Sequence, residues 1–149
     1  MTGKFLEDYL GNVKDWHRGG STMVIDRFAA VPWENIPDRS EDISYVKIGW
    51  TLSMLLAEKN LSERILRYNA SGLPVSHGGT LMEMAVRKGK ADDTLMRLKN
   101  SGFNIVEISE GVSDMPEKVK ERIADFVHSY GFSLKGSFQS TTWIESSQS

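Results

Sequence analysis

Asn104-Ile105-Val106-Glu107-Ile108-Ser109 is followed, after a short polar connection, by Glu117-Lys118-Val119-Lys120-Glu121-Arg122-Ile123-Ala124-Asp125-Phe126-Val127-His128-Ser129-Tyr130. The first run is only six long, and its apolar residues, Ile105, Val106 and Ile108, are all β-branched. That is the pattern of a strand covered on both faces. In the second, Val119, Ile123, Phe126, Val127 and Tyr130 fall at i, i+4, i+7, i+8 and i+11, with charged residues on the other face. This spacing predicts an amphipathic helix. Pro116 suits its first turn, and Ser113 or Asp114 is the expected N-cap. A buried strand followed at this distance by a helix is one βα unit.

Working outward, the strand pattern recurs at Thr22-Met23-Val24-Ile25-Asp26, at Tyr45-Val46-Lys47-Ile48-Gly49-Trp50 and, more weakly, at Leu73-Pro74-Val75-Ser76-His77. Gly72 and Gly102 stand just before the third and fourth runs, where a helix C-terminus calls for a residue that tolerates positive φ. Leu61, Ile65 and Tyr68 keep helical spacing, and Thr80 to Asn100 reads as helix broken near Gly89. The strand starts are roughly 23 to 31 residues apart, the length of a strand, a crossover helix and two loops. The fold class is therefore α/β, with parallel (β/α) units that form either an open doubly wound sheet or part of a barrel. Three segments follow: a polar lead-in over 1–20, the βα units over 21–132, and a Ser-rich tail over 133–149 expected to be disordered apart from a short strand near Phe132 to Leu134.

The 149 residues carry 18 basic and 20 acidic side chains, a formal net charge of −2, and no cysteine. This balance provides no basic field for nucleic acid, and cysteine-based chemistry is excluded. No apolar run approaches the roughly 18 to 20 residues of a membrane span, and no secretory apolar core follows Met1. A cytoplasmic protein with neither nucleic acid nor membrane as partner is the expectation, and the charge balance leaves room for a small neutral or anionic ligand.

In a parallel α/β fold the functional surface lies at the carboxyl ends of the strands. Those ends carry Asp26 and Arg27, then Lys47, then His77-Gly78-Gly79-Thr80 with Glu83, then Glu107, Ser109 and Glu110. Lys47 and Glu107 sit inside otherwise apolar strands, where an unpaired charge is costly, so they are expected to meet a ligand, a metal or each other. They are the candidate catalytic pair, with a purely structural ion pair as the alternative. Arg27, His77, Gly78, Gly79, Thr80 and Ser109 are the candidate substrate-binding residues, the glycines letting backbone N–H groups approach an anion. Asp26, Glu83 and Glu107 are hard oxygen donors suited to Mg²⁺. His17 and His128 read as surface or structural residues.

In order and interval, Thr22–Asp26, Tyr45–Trp50, Gly78-Gly79-Thr80-Leu81-Met82-Glu83 and Val106-Glu107-Ile108-Ser109-Glu110-Gly111 resemble the phosphosulfolactate synthase family. The resemblance implies a (β/α) barrel that adds sulfite to phosphoenolpyruvate with Mg²⁺ to give (2R)-phospho-3-sulfolactate, an early step of coenzyme M biosynthesis. It also implies a lyase, with a non-catalytic stress-associated relative or a self-associating module on the same scaffold as the alternative. Arg27 stands where the family has lysine, and Gly49-Trp50-Thr51-Leu52-Ser53 replaces Gly-Trp-Gly-Thr-Ser. The family's later Ser-Glu-Val-Gly-x-Lys, which carries the expected general acid, has no counterpart, and Lys135 is a poor positional substitute. Because an eight-unit barrel takes about 250 residues, the chain is expected to form an incomplete barrel: a truncated and weakly active enzyme, half-barrels that assemble into a homo-oligomer, or a small α/β domain that stands alone.

Overall fold

The computed structural model describes residues 23–27, 43–138 and 141–145, with side chains as far as Ser133. The lead-in over 1–20, and His17 with it, lies outside them. In chain order the elements are β1 (Met23–Asp26), β2 (Tyr45–Ile48), α1 (Trp50–Leu55), α2 (Glu58–Ala70), β3 (Val75–His77), α3 (Thr80–Arg87), α4 (Ala91–Ser101), β4 (Ile105–Ser109), α5 (Glu117–Ser129), β5 (Ser133–Phe138) and β6 (Thr141–Glu145).

The strands form one sheet in the order β1-β2-β3-β4-β5-β6. Every pair from β1 to β5 is parallel, and β6 closes antiparallel on β5. A doubly wound sheet reverses its strand order at a switch point. Here spatial order equals chain order throughout, which is how a (β/α) barrel begins.

Strand residues alternate between two faces. Val46, Ile48, Val75, Val106 and Ile108 face the helices and join one apolar core with Leu61 and Ile65 of α2, Leu95 and Leu98 of α4, and Ile123 and Val127 of α5. Each large aliphatic side chain fully buried there contributes about 1.5–3 kcal/mol. The other face carries Tyr45, Lys47, Ser76, Ile105, Glu107 and Ser109.

The expected punctuation is present. Gly72 and Gly102 end α2 and α4 with φ of 77° and 97°, and Gly89, at 64°, separates α3 from α4. The expected cap of α5 is different: Pro116 occupies the N-cap position with no side-chain hydrogen bond, and the Ser113 N–H is instead given to Glu83. The tail also differs from its expectation. Rather than a disordered segment, 133–138 is a strand in register with β4 over five residues, and 141–145 pairs back on it. The serine count hid it, since what holds a strand here is the neighbouring ladder. Asn104 starts that ladder, accepting the Val75 N–H on its side chain at 2.8 Å and the Ser133 N–H on its carbonyl at 2.9 Å.

Candidate functional site

A pocket of about 550 Å³ opens at the carboxyl ends of β1 to β4. Strand parity decides which residues reach it. Ile25 pairs in register with Lys47, and Lys47 with Ser76, so these three share the face that looks away from the helices. Lys47 on β2 and Glu107 on β4 reach across β3 to form an ion pair at 2.6 Å, above Ser76, whose hydroxyl is 3.4 Å from Glu107 Oε2. The Glu107 side chain is 3% exposed and that of Lys47 23%, so the ammonium is the end that meets the pocket. A long contact of 3.4 Å runs from the Gly79 N–H to Glu107 Oε1.

Arg27, just past β1, also lines the pocket, as do Gly78, Gly79, Thr80 and Ser109. Arg27 makes no ion pair among the described residues. Both glycines are required by packing: a Cβ on Gly78 would lie 2.9 Å from the Trp50 nitrogen, and one on Gly79 would lie 2.5 Å from Ser109 Oγ. The loop before α3 is thereby pressed against the start of α1 on one side and the end of β4 on the other. The charged lining is two cations against one carboxylate, a balance that favours a small anion.

His77 is elsewhere. Its side chain turns to the helix face, is fully buried and meets the Phe103 ring edge-on. Nδ1 lies 3.0 Å from the Gly78 carbonyl, which can only accept, and Nε2 faces the Glu107 N–H at 3.4 Å, which can only donate. The ring is therefore neutral, with its hydrogen on Nδ1. Burial, the largest influence, pushes its pKa below 6.5, the Gly78 hydrogen bond working in the opposite direction. It fills the place of a ladder acceptor where the β3–β4 pairing is short, and it does not line the pocket.

The three carboxylates expected to hold Mg²⁺ do not converge. Asp26, one residue out of phase with Ile25, points to the helices and receives Arg64 at 2.7 Å and the Tyr68 hydroxyl at 2.9 Å, both on Oδ2. Burial and that hydrogen bond push the Tyr68 pKa up. Glu83, on the first turn of α3, accepts hydrogen bonds from Ser109 Oγ and from the N–H groups of Gly111, Val112 and Ser113. Burial works to raise its pKa, and these four donors outweigh it and hold it low. Glu107 is taken by Lys47. No group of three acidic or histidine side chains able to hold a metal occurs among the described residues, so this trio does not fit a magnesium ion. Glu110 is engaged by Lys120 at 2.6 Å.

Two contributions were not foreseen from the sequence. One is Ile25, an apolar pocket wall that is 40% exposed; the other is the clamp that Glu83 places on the loop after β4. An Asp or Glu three residues into a helix is a visible signal, but its partners are thirty residues away. No helix among the described residues is long and apolar enough to cross a membrane.

The family model for (2R)-phospho-3-sulfolactate synthase (ComA) matches residues 13–148. Among curated proteins, the phosphosulfolactate synthase of Methanocaldococcus jannaschii is 37% identical over 106 residues, 68% of this chain and 41% of its own length. That of Bacillus subtilis is 32% identical over 110 residues, covering 72% of this chain and 43% of the relative. The Methanothermobacter thermautotrophicus protein of the same name is 26% identical over 117 residues. The chain thus spans less than half the length of these relatives.

Proposed function

The chain belongs to the (2R)-phospho-3-sulfolactate synthase family, and from that premise we propose that its strand-end pocket binds phosphoenolpyruvate and supports the addition of sulfite to it. The observation that carries this reading is the placement of Arg27 and Lys47 in one pocket with a single carboxylate, Glu107. Phosphoenolpyruvate carries a carboxylate on its first carbon and a phosphate on the oxygen of its central carbon, and two cations at the ends of neighbouring strands match these two anionic groups.

In the reaction the sulfite sulfur forms a bond to the terminal carbon. The carbon–carbon π pair moves toward the substrate carboxylate, and a proton then adds at the central carbon, leaving the phosphate ester intact. Negative charge grows on the carboxylate during the first step. A fixed cation is worth most where charge develops in a site partly shielded from water. Glu107 holds the Lys47 ammonium at the pocket floor, so no reorganisation of that side chain is needed as the charge appears. Arg27, exposed and planar, suits bidentate contact with phosphate or carboxylate.

The test is calorimetric titration of phosphoenolpyruvate, together with product formation from phosphoenolpyruvate, sulfite and Mg²⁺ followed by phosphorus NMR. Losing a charge-assisted contact, Arg27→Ala and Lys47→Ala are each expected to weaken phosphoenolpyruvate binding by about tenfold or more. Formation of phosphosulfolactate by this chain is expected to be slow and abolished by Lys47→Ala. Binding or turnover unchanged in both Lys47→Ala and Glu107→Gln would overturn the site.

A further inference from the structure

The pocket has a cationic side and an acceptor side, and the second is set by a residue that does not line it. Ser109 lines the pocket at the end of β4, and its hydroxyl has a single hydrogen. Behind it stands Glu83, 1% exposed, which the N–H groups of Val112 at 2.8 Å, Ser113 at 2.7 Å and Gly111 at 3.2 Å hold as an acceptor. A carboxylate facing three N–H donors has no hydrogen to give, so the fourth contact is Ser109 donating to Glu83 Oε1. Its only hydrogen spent, Ser109 Oγ can offer nothing but lone pairs to a ligand. Gly79 keeps the arrangement tight, since any Cβ there would strike Ser109. The neighbouring Glu107 carboxylate is a second acceptor on the same strand, whereas Arg27 and Lys47 lie on the side of β1 and β2.

We infer that Glu83 is a positioning residue that makes Ser109 an obligate acceptor, so that the β4 side of the pocket selects oxyanions carrying a hydrogen, such as hydrogen phosphate or hydrogen sulfite, over fully deprotonated ones such as sulfate. The inference rests on the anion-binding reading above and adds a polarity to it. A bare oxyanion placed against Ser109 sets lone pair against lone pair and leaves the hydroxyl unpaired toward it. An O–H on the ligand turns the same contact into a hydrogen bond.

Inorganic phosphate and sulfate are near-isosteric, and at mildly alkaline pH both are dianions, only the former keeping a hydrogen. Titrating each into the full chain by calorimetry, we expect phosphate to bind at least about tenfold more tightly than sulfate, the usual scale of one mismatched polar contact. Ser109→Ala is expected to bring the two within about twofold, and Glu83→Gln, whose amide can donate to Ser109 and release its hydrogen, to shift the ratio toward sulfate. The ratio is the informative readout, because a merely loosened loop weakens both anions together. Equal affinities in the unaltered protein, or a preference untouched by both substitutions, overturn the inference while leaving the anion pocket standing. Failure of both anions to bind overturns the inference and the anion-pocket reading together.

Discussion

His77 looks from the sequence like a strand-end ligand beside two glycines, and the fold makes it a structural acceptor instead. The reason is parity: with Ser76 on the pocket face, the next residue along β3 must face the helices, where it is fully buried. The same one-residue phase separates Ile25, which lines the pocket, from Asp26, which receives Arg64 and Tyr68. The chemistry at His77 predicts a pH dependence. Its pKa is lowered from 6.5 in the folded protein, chiefly by burial, so below 6.5 the unfolded chain takes up a proton that the native one resists. Stability contributed by the neutral ring is complete above that pH and falls as pH drops toward the folded value. Urea unfolding across this range is expected to show stability declining from about pH 6.5 downward, and His77→Gln to flatten that slope; an unchanged slope in the variant would rule out the assignment. Glu83, also lowered, adds a separate loss only below 4.5.

At the scale of elements, the amphipathic spacing in 58–70 and 117–129 and the glycines at 72, 89 and 102 were readable because each depends on neighbours within a turn or two. Gly102 shows where a local signal also has a tertiary cost. Its φ is 97°, and a Cβ there would stand 3.3 Å from Ile65 Cγ2 on α2. Gly89 has a similar φ of 64° with open space around it. Gly102→Ala is therefore expected to destabilise the protein by more than Gly89→Ala, which should cost about 1–2 kcal/mol for the left-handed backbone alone. Chemical denaturation of the two variants decides this, and equal losses would mean that the α2–α4 contact yields without cost. β5 and β6 went the other way: a serine- and threonine-rich segment has little local preference, and pairing with β4 over five register positions supplies what composition did not.

For the whole molecule, the sheet begins a barrel and does not curl round to a closing strand among the described residues. Ile25 at the β1 side is 40% exposed, and Met54, Leu55 and Leu66 on α1 and α2 are 54%, 68% and 67% exposed. Apolar surface at the margin of an open sheet favours association, because burying it removes it from water without further ordering of the chain. We expect size-exclusion chromatography with light scattering to show a concentration-dependent dimer or larger assembly, and Leu55→Glu with Leu66→Glu to shift it to smaller mass while the fold persists by circular dichroism. A compact monomer at every concentration would show that the open sheet stands alone.

What the amino-acid sequence determined by itself is the alternation of strand and helix, the parallel sense of the sheet and the set of strand-end polar residues, all consequences of periodicity and of turn chemistry within a few residues. Which of those polar residues meet was decided only by the tertiary structure. Lys47 and Glu107 are sixty residues apart and touch because β2, β3 and β4 lie side by side in register. Asp26, Glu83 and His77 are kept from the pocket by strand phase and by partners on α2, on the loop after β4 and on the backbone of β4. The side of a sheet on which a residue falls is a period-two property, but the neighbour it finds there depends on register between strands, and register is fixed by packing over the whole core.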